Sequence, residues 1–83
     1  METIEIELLA LVNQVRRNKR QPELSSLEGN AHLRADWHFD SLDLAELTVR
    51  IEERFGVDVF EAGVVHRWQE ISDRVTRHAA GHK

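Results

Sequence analysis

The chain has no cysteine and no tyrosine, a single proline, four glycines and only 6% aromatic residues. Without cysteine there can be no disulfide, no thiolate metal site and no cysteine nucleophile. A short chain lacking those devices is held together by compact helix packing. With so few rings, that core must come mainly from leucine, isoleucine and valine. Eighty-three residues make one domain, spanning 1–83, and leave too little apolar surface for a second core. No apolar run approaches the roughly 20 residues of a membrane-spanning helix, and Met1-Glu2-Thr3-Ile4-Glu5 opens no secretory signal. These absences lead us to expect a cytoplasmic monomer with no membrane partner.

Positive charge is also scarce: 11 Lys and Arg against 15 Asp and Glu give a net charge of -4. That sign is repelled by phosphate backbones, so no nucleic-acid partner is expected. The deficit is local. Residues 36–61 hold eight acids (Asp36, Asp40, Asp43, Glu46, Glu52, Glu53, Asp58, Glu61) and two bases, Arg50 and Arg54, whereas residues 1–35 balance five against five.

Ile4, Leu8, Leu11, Val12 and Val15 recur at helical spacing, which predicts a helix from about Thr3 to the Arg16–Arg20 cluster. Cations there complement the helix dipole, and Pro22 follows as a stop. Residues 21–39 show no period and read as a long loop, with Leu24, Leu27 and Leu33 tucked against the core. A second helix is capped by Asp40, has Asp43 in its first turn and closes at Gly56 after Phe55. A last helix carries Trp68, Ile71, Val75 and Ala79 on one face. The two tryptophans read as structural, Trp37 as a loop anchor and Trp68 as core.

The second helix has two apolar stripes. At roughly 100° per residue, Leu44, Leu47, Thr48, Ile51 and Phe55 share one face, while Leu42, Ala45 and Val49 form another centred more than about 120° away. One face suffices for folding. The second either packs under the long loop or serves as a docking strip, with Asp43, Glu46 and Glu53 beside it to steer basic partners. Ser41 stands at the start of this helix, where free N–H groups and the helix dipole favour a bound or attached phosphate. A serine there is equally a common capping-region residue. No histidine at a motif distance and no Gly-x-Ser-x-Gly elbow would activate it, so any chemistry at Ser41 would be performed by another enzyme.

The run Phe39-Asp40-Ser41-Leu42-Asp43-Leu44-Ala45-Glu46-Leu47, continued by Ile51-Glu52-Glu53-Arg54-Phe55-Gly56-Val57-Asp58-Val59, resembles the acyl carrier protein family. The resemblance implies an all-α, four-helix bundle with a long loop between helices 1 and 2 and a short third helix over Val59–Gly63. It further implies a 4′-phosphopantetheine arm, derived from coenzyme A, on Ser41, with Asp40 helping to present the site. Leu42, Asp43, Glu46 and Val49 would face partner enzymes. Those partners would be a phosphopantetheinyl transferase and an acyl- or aminoacyl-loading ligase, acyltransferase or synthase. The chain would be a discrete acyl carrier without catalysis of its own, holding its cargo as a thioester. An aminoacyl or peptidyl carrier, or an unmodified helical interaction module, are the alternatives. Three departures from the family pattern point toward a dedicated pathway rather than housekeeping fatty acid synthesis. The glycine expected before Asp-Ser-Leu is missing from Asp36-Trp37-His38-Phe39, Arg50 and Arg54 interrupt the acidic helix, and Phe60-Glu61-Ala62-Gly63 replaces an acid-rich third helix.

Asp36, Asp40 and Asp43 do not form a calcium loop, because the third, sixth and twelfth positions counted from Asp36 are His38, Ser41 and Leu47. His78 and His82 read as solvated tail residues, so no metal is expected.

Overall fold

The computed structural model describes residues 3–60 and 65–81. It contains three helices, α1 (Thr3–Asn18), α2 (Ser41–Phe55) and α3 (Trp68–Gly81). Among the described residues there is no strand, only an isolated antiparallel bridge between His32 and Arg67. The protein is therefore all-α, as its periodicities predict. Of the short helix expected over Val59–Gly63, Val59 and Phe60 form a turn and the remainder lies outside the described residues. No described helix is long and apolar enough to cross a membrane.

The three helices meet along the predicted apolar stripes. Leu8, Val12 and Val15 from α1, Leu44, Leu47 and Ile51 from α2, and Trp68, Ile71 and Val75 from α3 are buried. Each such side chain contributes about 1.5–3 kcal/mol by leaving water. Thr48 and Phe55 are half-buried at the edge of the α2 face. The buried stripe of α3 ends at Val75, since Ala79 is exposed.

The 19–40 connection is as much core as the helices are. Ala31, Leu33, Trp37 and Phe39 are buried, and Leu24 and Leu27 pack partly against them. Trp37 lies edge-on to Phe39 with centroids 5.8 Å apart and tilted against Trp68 at 5.5 Å, so both tryptophans are the structural anchors their sequence context suggests. A connection that dips into a core must satisfy its backbone polar groups there. Two buried polar residues of α1 do this. Asn13 donates from Nδ2 to the Leu24 carbonyl at 2.9 Å and accepts the Leu24 N–H at 2.7 Å. Arg16 donates from Nε to the Pro22 carbonyl at 2.7 Å and from Nη1 to the Trp37 carbonyl at 3.1 Å. Arg16 is thus not a solvated helix-end cation but an internal clamp. The loop also bonds to the start of α3, with the Leu33 N–H on the His66 carbonyl and the Trp68 N–H on the Ala31 carbonyl.

Candidate functional site

The α2 N-terminus is built from a reciprocal pair of carboxylates. Asp40 adopts an extended backbone and its Oδ1 accepts the Asp43 N–H at 2.9 Å, while Asp43 Oδ2 accepts the Asp40 N–H, also at 2.9 Å. Two otherwise orphaned donors are satisfied in this way. The bond from the Asp43 N–H is the main reason the Asp40 carboxyl is held below its ordinary value. At the other end Gly56, with φ 75°, closes the helix in the left-handed region through its N–H on the Glu52 carbonyl.

Two cations from the preceding segments converge on this helix start. Lys19, just past α1, places Nζ 2.5 Å from Asp43 Oδ2 and 2.5 Å from the His38 carbonyl oxygen. The second is Arg34, in the loop, whose Nη2 donates to Ser41 Oγ at 3.2 Å. Ser41 itself is exposed. His38, in the approach where the glycine was expected, takes a left-handed φ of 59°. The turn thus keeps a glycine-like conformation without the glycine.

The two stripes of α2 have separate fates. Leu42 is 80% exposed and Val49 52% exposed, with Ala45 exposed between them. Packing under the loop is excluded for this stripe by that exposure; the loop's buried side chains share the core with the other face of α2. The acids beside it are less free than the sequence suggests. Asp43 is held by Lys19 and the Asp40 N–H, and Glu46 accepts from Asn18 Nδ2 at 2.8 Å and Arg50 Nε at 3.0 Å. The structure therefore brings Asp40, Ser41 and Asp43 together with Lys19 and Arg34, and leaves Leu42 and Val49 open to solvent. Among the described residues, no three His, Cys, Asp or Glu side chains gather as a metal site.

A family model described as the phosphopantetheine attachment site matches residues 11–64, about two-thirds of the chain. The chain belongs to that family. It is a carrier domain that takes a covalent 4′-phosphopantetheine, in agreement with the resemblance read from residues 39–59. It matches none of the curated proteins or solved structures with which it was compared.

The helix start of the carrier domain fits such a group. A phosphodiester is a monoanion, and here an exposed hydroxyl oxygen stands at a helix N-terminus with a guanidinium already against it. Lys19 and Arg34 were not legible as site residues. Lys19 lies in a cation run that a helix end explains by itself, and Arg34 reaches Ser41 across a loop with no periodicity to mark it.

Proposed function

We propose that Ser41 is the attachment residue and that the protein presents acyl groups on its arm to the enzymes of a dedicated biosynthetic pathway, without catalysing any step itself. The observation that carries this reading is the exposed Ser41 Oγ on the first turn of a firmly capped α2. When bound, the arm supplies a terminal thiol on which a carboxylic acid is held as a thioester. This chain's residues do the remaining work. Asp40 and Asp43 fix the helix start so that Ser41 reaches a phosphopantetheinyl transferase in one geometry. Leu42, Ala45 and Val49 offer an apolar strip beside the arm for that transferase and for a loading ligase, acyltransferase or synthase.

A dedicated pathway is supported by the charge on α2. Arg50 pairs with Glu46 at 2.9 Å and Arg54 pairs with Glu7, so the helix is less uniformly acidic than its carboxylates alone would make it. Partners would then rely more on the apolar strip than on long-range steering. We read residues 59–63 as the family's short third helix, which would complete a four-helix bundle. Leu8, Val12, Leu47, Ile51 and Ile71 are buried against one another, so an acyl chain sheltered there would have to part packed helices.

The test is to incubate the protein with coenzyme A and a broad-specificity phosphopantetheinyl transferase and record the intact mass. The expected result is a gain of one arm that is lost in Ser41→Ala. No gain, under conditions that modify a control carrier, would overturn attachment at Ser41 and leave the unmodified helical module as the reading.

A further inference from the structure

We propose that Arg34 is the counter-ion of the arm's phosphodiester, a positioning residue that tethers the root of the arm to the 32–39 turn. The proposal rests on attachment at Ser41. Its basis is a mismatch between Arg34 and its present partner. A guanidinium has five donors in a planar fork suited to an oxyanion, yet the bond Arg34 makes is to a neutral hydroxyl oxygen, Ser41 Oγ, at 3.2 Å. That oxygen is the one that would become the ester oxygen, so the two non-bridging oxygens of the phosphodiester would sit within the fork's reach.

The cation that shares this helix start, Lys19, is already committed, and so are others of α1 and α2. Lys19 is paired with Asp43, Arg17 with Glu23, Arg50 with Glu46 and Arg54 with Glu7. Among the described residues no carboxylate pairs with Arg34. The acids flanking Ser41 are equally engaged, Asp43 by Lys19 and both by the reciprocal bonds of the helix start. A phosphodiester added between Asp40 and Asp43 would bring the local negative charges to three, of which Lys19, paired with Asp43, offsets one. Arg34 supplies a second positive charge.

The base of Arg34 is also fixed. Its N–H and that of Ala35 donate to His32 Nδ1 at 3.3 and 3.1 Å, its carbonyl accepts the His38 N–H at 3.0 Å, and Leu33 beside it is fully buried. A guanidinium carried on an anchored turn loses less freedom on pairing than one on a mobile loop.

The experiment compares the unmodified and phosphopantetheinylated forms of the wild type, Arg34→Ala and Arg34→Lys, with intact mass confirming one arm in each. Two readouts follow, the ³¹P resonance of the phosphodiester and the change in Tm caused by modification. We expect the Arg34→Ala resonance to be displaced from that of the wild type, with Arg34→Lys between them. The Tm change on modification should be about 3 °C more favourable in the wild type than in Arg34→Ala. That advantage should shrink in high salt. An Arg34 that served only the loop's structure would lower Tm equally in both forms and leave the change untouched. Equal ³¹P positions and equal Tm changes would therefore overturn the proposal while the mass gain still upheld attachment. Absence of a mass gain in the wild type, or its persistence in Ser41→Ala, would overturn attachment at Ser41 and this proposal with it.

Discussion

The starts of α2 and α3 are made with the same chemistry and put to opposite ends. In each, a carboxylate three residues into the helix region reaches back to backbone donors. Asp43 accepts the Asp40 N–H at 2.9 Å, and Glu70 Oε2 accepts the N–H groups of His66 and Arg67, both at 2.9 Å. Beyond that the two diverge. The first residue of α3, Trp68, is buried, and its N–H is bonded to the loop carbonyl of Ala31. The first residues of α2, Ser41 and Leu42, are both exposed. One helix start is used to hold the fold, and the other is held by the fold so that its first turn can face solvent.

That contrast is broken most directly at its first positions. Trp68→Ala removes a buried ring in contact with Trp37 and should cost about 3–5 kcal/mol, read as a shift in the urea midpoint. Ser41→Ala should change stability by less than about 0.5 kcal/mol, yet abolish the mass gain with coenzyme A and transferase. If Ser41→Ala proved as damaging to folding as Trp68→Ala, the two starts would not be different in kind.

Next in size is the clamp on which the open start depends. Arg16→Met keeps much of the buried stem but leaves the Pro22 and Trp37 carbonyls without their charged donor. We expect a loss of about 2–3 kcal/mol in urea unfolding. The 19–40 connection should then show faster amide exchange than α3, because Arg16 reaches the loop and not the third helix.

How much of this could be read from the residues follows the same division. The two ends of α2 were legible because Asp40 and Asp43 at its start and Gly56 at its close act on neighbours in sequence, where capping rules apply. The buried face of α2 and the core role of both tryptophans followed from periodicity and context. What stayed hidden depends on contacts between distant segments. Arg16 and Lys19 sit in one cationic run, and nothing in their spacing separates a buried clamp, an acid partner and the exposed Arg17. Of the two partners that hold Glu46, Arg50 stands four residues on in the same helix, whereas Asn18 lies in another helix, where spacing gives no sign of it. Ala79 shares the apolar face of α3 yet is exposed, because a helical stripe, extended by rule, does not reveal where the neighbouring helices stop covering it.

Acid should expose the shared half of the comparison. The Asp40 carboxyl is held below its ordinary 3.8 chiefly by the Asp43 N–H, and the Glu70 carboxyl below its ordinary 4.5 by the His66 and Arg67 N–H groups. A depressed folded-state value means the unfolded chain binds the proton more readily. The stabilisation is therefore full above the ordinary values and is lost as pH falls through the lower folded ones. Between about pH 5 and pH 2 the wild-type Tm should fall, and Asp40→Asn and Glu70→Gln should each flatten part of that slope. Since Asp40 is exposed, salt should weaken the Lys19 contribution to its effect and leave the backbone hydrogen bond in place. A slope unchanged in Glu70→Gln would mean that α3 is capped by packing alone.

The smallest effect concerns how the chain enters the two helices. His38, two residues before the α2 cap, is left-handed at φ 59°, whereas no non-glycine residue at 65–67 has a positive φ. Outside glycine that conformation costs roughly 1–2 kcal/mol, part of which a glycine would return through the greater freedom of its unfolded chain. His38→Gly should therefore stabilise the protein by about 0.5–1 kcal/mol. The bond from Lys19 Nζ survives the substitution because it is made to the backbone carbonyl. The rate of arm attachment should stay the same, since the His38 side chain is exposed and makes no contact with Ser41 among those described. A stabilised variant with slower attachment would show instead that the histidine side chain is part of what the transferase recognises, and that the open start of α2 extends back into its approach.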